Sequence, residues 1–418
     1  MAIQYLDVFF HDTLVGVLSY NKGQMAFSYS PDYLNVDKAL PLSTSMPLQE
    51  EPFSHGITEA FFAGLLPEDI VRRRIARYLR ISEGNTFELL KAIGGECAGA
   101  VSLYVQGETP DTVGAPSYRI LEEKEAADIL TTLDKRPMMV GEGNIRISGA
   151  GAQDKLIVAL HKGKLAIPLG NTPSTHIIKP AIKDLEASVQ NELFCMKLAK
   201  AVGLPVPECS IFYVKDIPHY LVERFDRVVL EDGKVKRLHQ EDICQALHIP
   251  PEQKYESEGG PSLKNCFEVL DMHIHAGRMA GVNKITLLRG IIFNFLVGNG
   301  DAHGKNFSLL YKDEAVELAP FYDLLCTLLY GNAYKSKMAM KLGGKYQFKG
   351  ISKRHFEKLA DEIGFKPVFV KKEVTEMVKK LSTQAEKLAA ELMADEKTAS
   401  NVYDDIAAII KKQCEQVG

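Results

Sequence analysis

The sequence predicts an α+β protein in three parts: a β-rich module with short helices, a mixed α/β lobe, and a mainly helical lobe. Three observations predict it. Short apolar runs broken by turn residues fill the first 35 or so positions. Strand-like and helix-like patterns then alternate between about 118 and 222. From about 240 to the end the apolar spacing is helical, apart from one hairpin around 307–321.

Composition is compatible with this. A chain of 418 residues gives a soft prior of two or three domains. At 46% hydrophobic and 25% charged it is ordinary globular material, which excludes disordered and collagen-like classes. A formal charge of −4 argues against a globally basic nucleic-acid binder but leaves room for a local basic face. Met1 to Tyr5 show no basic-then-apolar leader, and the longest apolar run, near Gly290 to Gly298, is interrupted by Asn294 and too short to cross a bilayer. No membrane is expected. The seven cysteines are scattered, odd in number and without C-x-x-C, which argues against a disulfide framework or structural zinc. A reducing cytoplasm is the expected location.

The elements follow in order. Tyr5–Phe10 and Leu14–Leu18 are short apolar runs, and Asn21-Lys22-Gly23 marks a turn before Met25–Tyr29. Ile57–Leu66 reads as a helix ended by Pro67, and Glu68–Leu79 as an amphipathic helix with a basic face at Arg72, Arg73 and Arg74. Phe87–Ile93 is a short helix stopped by Gly94-Gly95, and Gly99–Val105 a strand. Gly107–Ser117, with Pro110, Gly114 and Pro116, reads as a linker. Glu122–Leu133 and Ser188–Val202 are helical; Leu156–Leu160, Leu165–Pro168, Thr175–Lys179, Ile211–Val214 and His219–Val222 read as strands.

The most informative segment is Gly298-Asn299-Gly300-Asp301-Ala302-His303-Gly304-Lys305-Asn306. It contains D-x-x-x-x-N, the spacing of a kinase catalytic loop, where the Asp takes the acceptor proton and the Asn holds a metal ion. Centring the following hairpin on residues 313 and 314 puts Asn306 opposite Phe321 and brings Asp323 just past the hairpin base. A second carboxylate beside the first metal ligand is what a Mg²⁺ site on phosphates requires. The other reading makes Asp301 and Asp323 turn and cap residues.

Ser148-Gly149-Ala150-Gly151-Ala152-Gln153-Asp154-Lys155 is either a phosphate cradle or a flexible turn; it matches neither Walker A nor G-x-G-x-x-G. Lys179 ends an apolar strand, so it either snorkels or meets an anion, with Glu192 on the next helix the natural partner. Glu223-Arg224-Phe225-Asp226-Arg227 follows the strand His219–Val222, where a hinge between kinase lobes would lie; it also reads as a charged loop. The segment 331–358 has eight Lys/Arg against one acid, a net of +7, which suits a polyanion such as a DNA backbone or a solvated helix-and-loop face. His273 and His275 near Asp271 lack a third ligand cluster and are not expected to bind metal.

Taken together, the motifs resemble the HipA family of bacterial serine/threonine kinases, the toxin halves of toxin–antitoxin pairs. The resemblance runs through nearly the whole chain. Leu40-Pro41-Leu42-Ser43, Met46-Pro47-Leu48, Phe61-Phe62, Leu65-Leu66-Pro67 and Gly99-Ala100-Val101 look like its N-terminal module. Ile147 to Lys155, Thr175 to Lys179, Asn191-Glu192, Glu223 to Arg227, Gly298 to Ser308 and Pro320-Phe321-Tyr322-Asp323 follow in family order.

It implies a bilobal protein-kinase-like fold: an N-terminal β-rich module over 1–110, a kinase N-lobe with the Gly-rich loop over 111–226, and a helical C-lobe with the catalytic loop over 227–418. It implies an ATP- and Mg²⁺-dependent, non-specific serine/threonine protein kinase. Asp301 would be the base, and Asn306 and Asp323 the metal ligands. Lys179, paired with Glu192, would grip ATP phosphates, as would the loop Ala150, Gly151, Ala152, Gln153, Asp154 and Lys155. Glu223, Arg224 and Phe225 would hold adenine through backbone groups, with Tyr322 beside the metal-binding Asp. His303, Gly304 and Lys305 would lie by the γ-phosphate. Ser148 matches the family's autophosphorylated serine. The family also implies a HipB-like DNA-binding antitoxin and a translation-related protein substrate, such as an aminoacyl-tRNA synthetase. DNA contact would fall to the basic 331–358 segment. Two rivals are a pseudokinase acting as a corepressor and a small-molecule kinase. Against the first stands the intact set Lys179, Asp301, Asn306 and Asp323.

Overall fold

Period-two alternation builds the first sheet, as in β3, where Met25, Phe27 and Tyr29 point inward and their neighbours do not. The computed structural model describes residues 2–110, 116–142 and 145–418. Part of the expected linker, 111–115, lies outside the described residues. Strands β1 (Gln4–Phe10), β2 (Thr13–Asn21), β3 (Gln24–Tyr29) and β4 (Val101–Val105) form an antiparallel sheet in the order β3-β2-β1-β4. Helices α1 (Pro31–Leu34), α2 (His55–Ala63), α3 (Asp69–Leu79) and α4 (Thr86–Ile93) lie between β3 and β4 in sequence. In α3 the residues Val71, Ile75 and Ala76 are buried while Arg73 and Arg77 face solvent.

A six-stranded sheet follows, in the order β5-β7-β6-β8-β10-β9. Its strands are β5 (Tyr118–Ile120), β6 (Leu156–His161), β7 (Lys164–Pro168), β8 (His176–Lys179), β9 (Cys209–Val214) and β10 (Ile217–Glu223), with α5 (Glu123–Thr131) and α6 (Ser188–Ala201) between them. A hairpin the sequence reading passed over, β11 (Arg227–Val229) with β12 (Val235–Arg237), continues from β10.

The rest is carried by α7 (Ile243–Ala246), α8 (Leu263–His275), α9 (Val282–Val297), α10 (Lys353–Glu362), α11 (Pro367–Met393) and α12 (Val402–Val417). The expected hairpin is β14 (Ser308–Lys312) with β15 (Ala315–Leu318), and its pairing of Lys312 with Ala315 centres it on 313 and 314, as the turn residues require. The expectation of a single hairpin is corrected twice. β13 (His239–Asp242) joins it to make three strands, and β16 (Lys337–Leu342) pairs with β17 (Lys345–Gln347) around Gly343 and Gly344, both at positive φ. The lysines in that second hairpin look like a solvated face, which masked its strands.

Four apolar clusters sit under these layers, the smallest made of Leu238, Leu310 and Ala319. One fills the N-terminal sheet and helices and takes in Met138 and Val140. One lies against the six-stranded sheet, and the largest joins α6 to the helical part. Among the described residues no helix is long and apolar enough to cross a membrane.

Candidate active site

A cavity of about 810 Å³ is lined by residues of α3, of the six-stranded sheet and of the loop after α9. Its wall brings together Lys179 from β8, Glu192 from α6, Asp301 and Asn306 after α9, and Asp323 beyond β15. Lys179 Nζ donates to Glu192 Oε1 at 2.7 Å and also to Asp323 Oδ1. The paired alternative for Lys179 therefore holds, and the snorkelling one does not. Burial raises the Glu192 carboxyl to about 7 even against Lys179. Burial would raise Asp323 too, but Lys179 overcomes it and holds that carboxyl below the usual range. Lys155, buried nearby, adds a second ammonium that also favours the charged form of both carboxyls.

The loop after α9 is built by local hydrogen bonds. α9 ends on Gly298 at φ 74°, and a Cβ there would strike Leu328 at 2.9 Å. Asp301 donates its N–H to Asn299 Oδ1 at 3.0 Å, and Gly300 donates to Thr327 Oγ1 at 2.8 Å. Asn306 Nδ2 donates to the Asp301 carbonyl at 2.8 Å. Its amide oxygen is left without a protein donor among the described residues, which suits a cation ligand. Asp323 stands at φ 55°, an uncommon backbone for a carboxylate residue. Two protein oxygens fit Mg²⁺, which keeps waters and takes substrate phosphates. Among the described residues no group of three or more His, Cys, Asp or Glu could hold a metal.

The neighbours in this loop are held as firmly. Lys305 is buried, 2.5 Å from Asp242 and 3.7 Å from Glu68. His303 is buried, and burial together with Lys254 pushes it down to about 3, so the ring is neutral. Gly304 donates its N–H to the Lys254 carbonyl, and a Cβ would strike Pro261. Tyr322 donates its hydroxyl to the Lys305 carbonyl at 2.6 Å and stacks on Phe225 with ring centres 5.3 Å apart.

The small-residue loop is clamped from outside. Glu68 donates its N–H to the Gly151 carbonyl at 3.1 Å, and Arg74 of α3 pairs with Asp154 at 2.8 Å. Lys155 Nζ donates to the Ala150 carbonyl at 2.5 Å, and burial near Lys179 lowers it to about 8. Gln153 Nε2 reaches the Pro180 carbonyl. Ala150 and Ala152 also line the cavity. Ser148 is only 1% exposed and donates its hydroxyl to the Leu65 carbonyl at 2.6 Å.

At the end of β10 the amides of Glu223 and Arg224 are engaged by the Glu208 and Thr175 carbonyls. A base would have to use other backbone groups, such as the Glu223 carbonyl and the Phe225 N–H. The Arg224 side chain is buried between Asp226 at 2.8 Å and Glu96 at 3.5 Å. Arg227 pairs with Glu96 at 2.8 Å and Asp226 at 2.9 Å, and Gly99 donates its N–H to Asp226 Oδ2 at 2.7 Å. This cluster ties β10 to the N-terminal sheet.

The eight cations of 331–358 are all exposed, on β16, β17, α10 and their connections. His273 is buried with Nε2 3.0 Å from Thr44 Oγ1, and His275 Nδ1 donates to the Asp271 carbonyl on the surface. Sequence reasoning missed Glu68, Lys254 and Tyr255. Lys254 pairs with Glu68 at 2.6 Å across 186 positions, and Tyr255 reaches Asp301. Such contacts carry no local pattern.

Comparison with known proteins shows the family. A model of the HipA-like C-terminal domain matches residues 147–388, and one of the HipA N-terminal domain matches 6–104. The chain is 39% identical to Y4mE of Sinorhizobium fredii over 98% of its own length and 96% of that protein. It is 30% identical to the serine/threonine-protein kinase toxin HipA of Shewanella oneidensis over 86% of this chain and 83% of that one. The solved structure of Shewanella oneidensis HipA with HipB and operator DNA superposes with a TM-score of 0.84, at 26% identity, over 99% of this chain and 97% of that one.

Proposed function

We infer a phosphoryl-transfer function from the premise that this chain belongs to the HipA family of serine/threonine-kinase toxins. Its fold is α+β and bilobal, protein-kinase-like. The proposed reaction moves the γ-phosphoryl of ATP to a serine or threonine hydroxyl. The observation that supports it is the convergence of Lys179, Glu192, Asp301, Asn306 and Asp323 on one cavity wall.

Asp301, held through its backbone by Asn299 and Asn306, accepts the acceptor's proton. Lys179, fixed by Glu192, holds phosphate oxygens. Asn306 and Asp323 would hold Mg²⁺, which when bound supplies neutralising charge at the phosphates. Lys305 and neutral His303 lie on the same wall. The loop 150–155, clamped by Glu68 and Arg74, closes over the phosphates, and the Glu223 carbonyl and Phe225 N–H take the base. The parts are assigned as 1–110, 111–226 and 227–418.

Ser148 is assigned as the self-modified residue. It is buried under the Leu65 carbonyl, so phosphorylation requires the loop to leave. A phosphate of about −1.5 to −2 could not return to that site, which would silence the kinase. The partner is assigned as a HipB-like DNA-binding antitoxin, with the exposed cations of 331–358 other than Lys335, which lines the cavity, facing DNA in that complex. The substrate class is a translation-related protein such as an aminoacyl-tRNA synthetase.

The test is incubation of the full chain with Mg-ATP, read by peptide mass spectrometry, with Asp301→Gln alongside. One phosphate on Ser148, absent in the variant, is the expected result. ATP binding with no phosphate on any residue would favour the corepressor reading.

A further inference from the structure

The acceptor side of the cavity is closed by a side chain the proposed reaction does not use. Tyr255 donates its hydroxyl to Asp301 Oδ1 at 2.5 Å. Its ring is fixed on three sides. Lys335 Nζ lies 4.2 Å from the ring centre, His303 packs edge-on with centroids 5.0 Å apart, and Lys254 Nζ lies at 5.9 Å. Lys254 is itself buried against Glu68, so the N-terminal module anchors the ring. Asp301 Oδ2 has Tyr334 Oη 3.5 Å away, and Lys335 Nζ stands 3.9 Å from Oδ1.

A general base must lie within hydrogen-bond reach of the hydroxyl whose proton it takes. On Oδ1 that position is filled by the phenol oxygen. We propose that Tyr255 is a placeholder for the acceptor hydroxyl: it keeps water off Asp301 Oδ1 and yields its place when a protein serine or threonine arrives. The proposal rests on the kinase reading, with Asp301 as base. It makes Tyr255 a specificity-determining residue that favours transfer to protein over transfer to water.

Replacing Tyr255 with Phe removes one oxygen and keeps the ring. The space left beside Oδ1 is about that of one water, with a carboxylate to bind it. With Mg-ATP bound, that water is an acceptor. Its oxygen bonds to the γ-phosphorus, the bond from the γ-phosphorus to the β–γ bridging oxygen breaks, and its electron pair leaves on ADP. The water proton goes to Asp301. A residue that merely orients Asp301 would have the opposite effect, because its loss would slow every acceptor.

The experiment measures inorganic phosphate released from Mg-ATP by the full chain without added acceptor. Wild type, Tyr255→Phe, Asp301→Asn and the double variant are compared, with melting temperatures and KM for ATP. Tyr255→Phe is expected to raise kcat for hydrolysis about fivefold or more, with KM for ATP changed less than about twofold. The double variant is expected to release none above background. A Tyr255→Phe rate equal to or below wild type overturns the proposal. So does loss of the folded state, because a placeholder oxygen does not carry the fold. Hydrolysis that persists unchanged in Asp301→Asn overturns the base assignment instead, which separates the two failures.

Discussion

Two clusters of buried ions stand on the walls of the same cavity, and they are built for different ends. In the first, Lys179 meets Glu192 and Asp323, and the Asp323 side chain is 43% exposed. In the second, Arg224, Arg227 and Arg237 surround Glu96 and Asp226, with every one of them buried. The first is open on one side through Asp323, which is how a site that takes a cation and phosphates should look. In the second, Arg237 caps the Gly99 and Val101 carbonyls, and each carboxylate is matched by guanidinium. Buried charge alone does not mark function; a carboxylate that is paired yet open to a cavity does.

That contrast can be broken most sharply by activity. Asp323→Asn is expected to lower ATP turnover by about 10²-fold or more while the melting temperature moves little, since its side chain is partly in solvent. Initial-rate ADP formation with a protein acceptor present and a thermal melt on the same sample check both halves.

Stability is the reverse case. Asp226→Ala leaves Arg224 and Arg227 buried without their shared partner and the Gly99 N–H without an acceptor. A cost of about 3–5 kcal/mol is expected, read as a lower midpoint in urea unfolding.

Acid should expose the same cluster. Burial alone would raise Glu96 and Asp226, but the arginines around them hold both carboxyls below the usual range. Groups depressed in the folded state stabilise it above their unfolded values of about 4, and that stability is lost as pH falls through the folded ones. The contribution of these two carboxyls should therefore be lost as pH falls below about 4, seen as a shallower acid-side fall of the melting temperature in Asp226→Asn than in wild type.

The smallest effect belongs to the loop clamp. Arg74→Ala removes a half-exposed pair to Asp154 worth up to about 1 kcal/mol, so KM for ATP should rise about two- to fivefold. Initial-rate kinetics over an ATP series would detect it. An unchanged KM would mean that the Glu68 and Leu65 contacts suffice to hold the loop.

What was legible in the sequence was local. Asp301 and Asn306 sit five positions apart in one loop, and the polar turn at 313–314 sets the register that carries Asp323 to them. Lys179 betrayed itself as a charge ending an apolar strand. The hinge was harder. Arg224 reads as a nucleotide contact, yet its guanidinium is spent on Asp226, Glu96 and Ser174 from distant segments. Glu68 and Tyr255 were invisible for the same reason, since nothing near them in sequence shows that they meet Lys254 and Asp301. The β16–β17 hairpin was hidden by lysines on its open face.

The most direct test sets the two clusters side by side. ATP turnover per folded molecule, at saturating Mg-ATP, would be measured for Asp323→Asn and Asp226→Asn, with the folded fraction taken from the same melts. The expected result is a folded Asp323→Asn protein without turnover and a destabilised Asp226→Asn protein whose folded molecules still turn over. A folded Asp323→Asn protein that keeps its turnover would contradict the account.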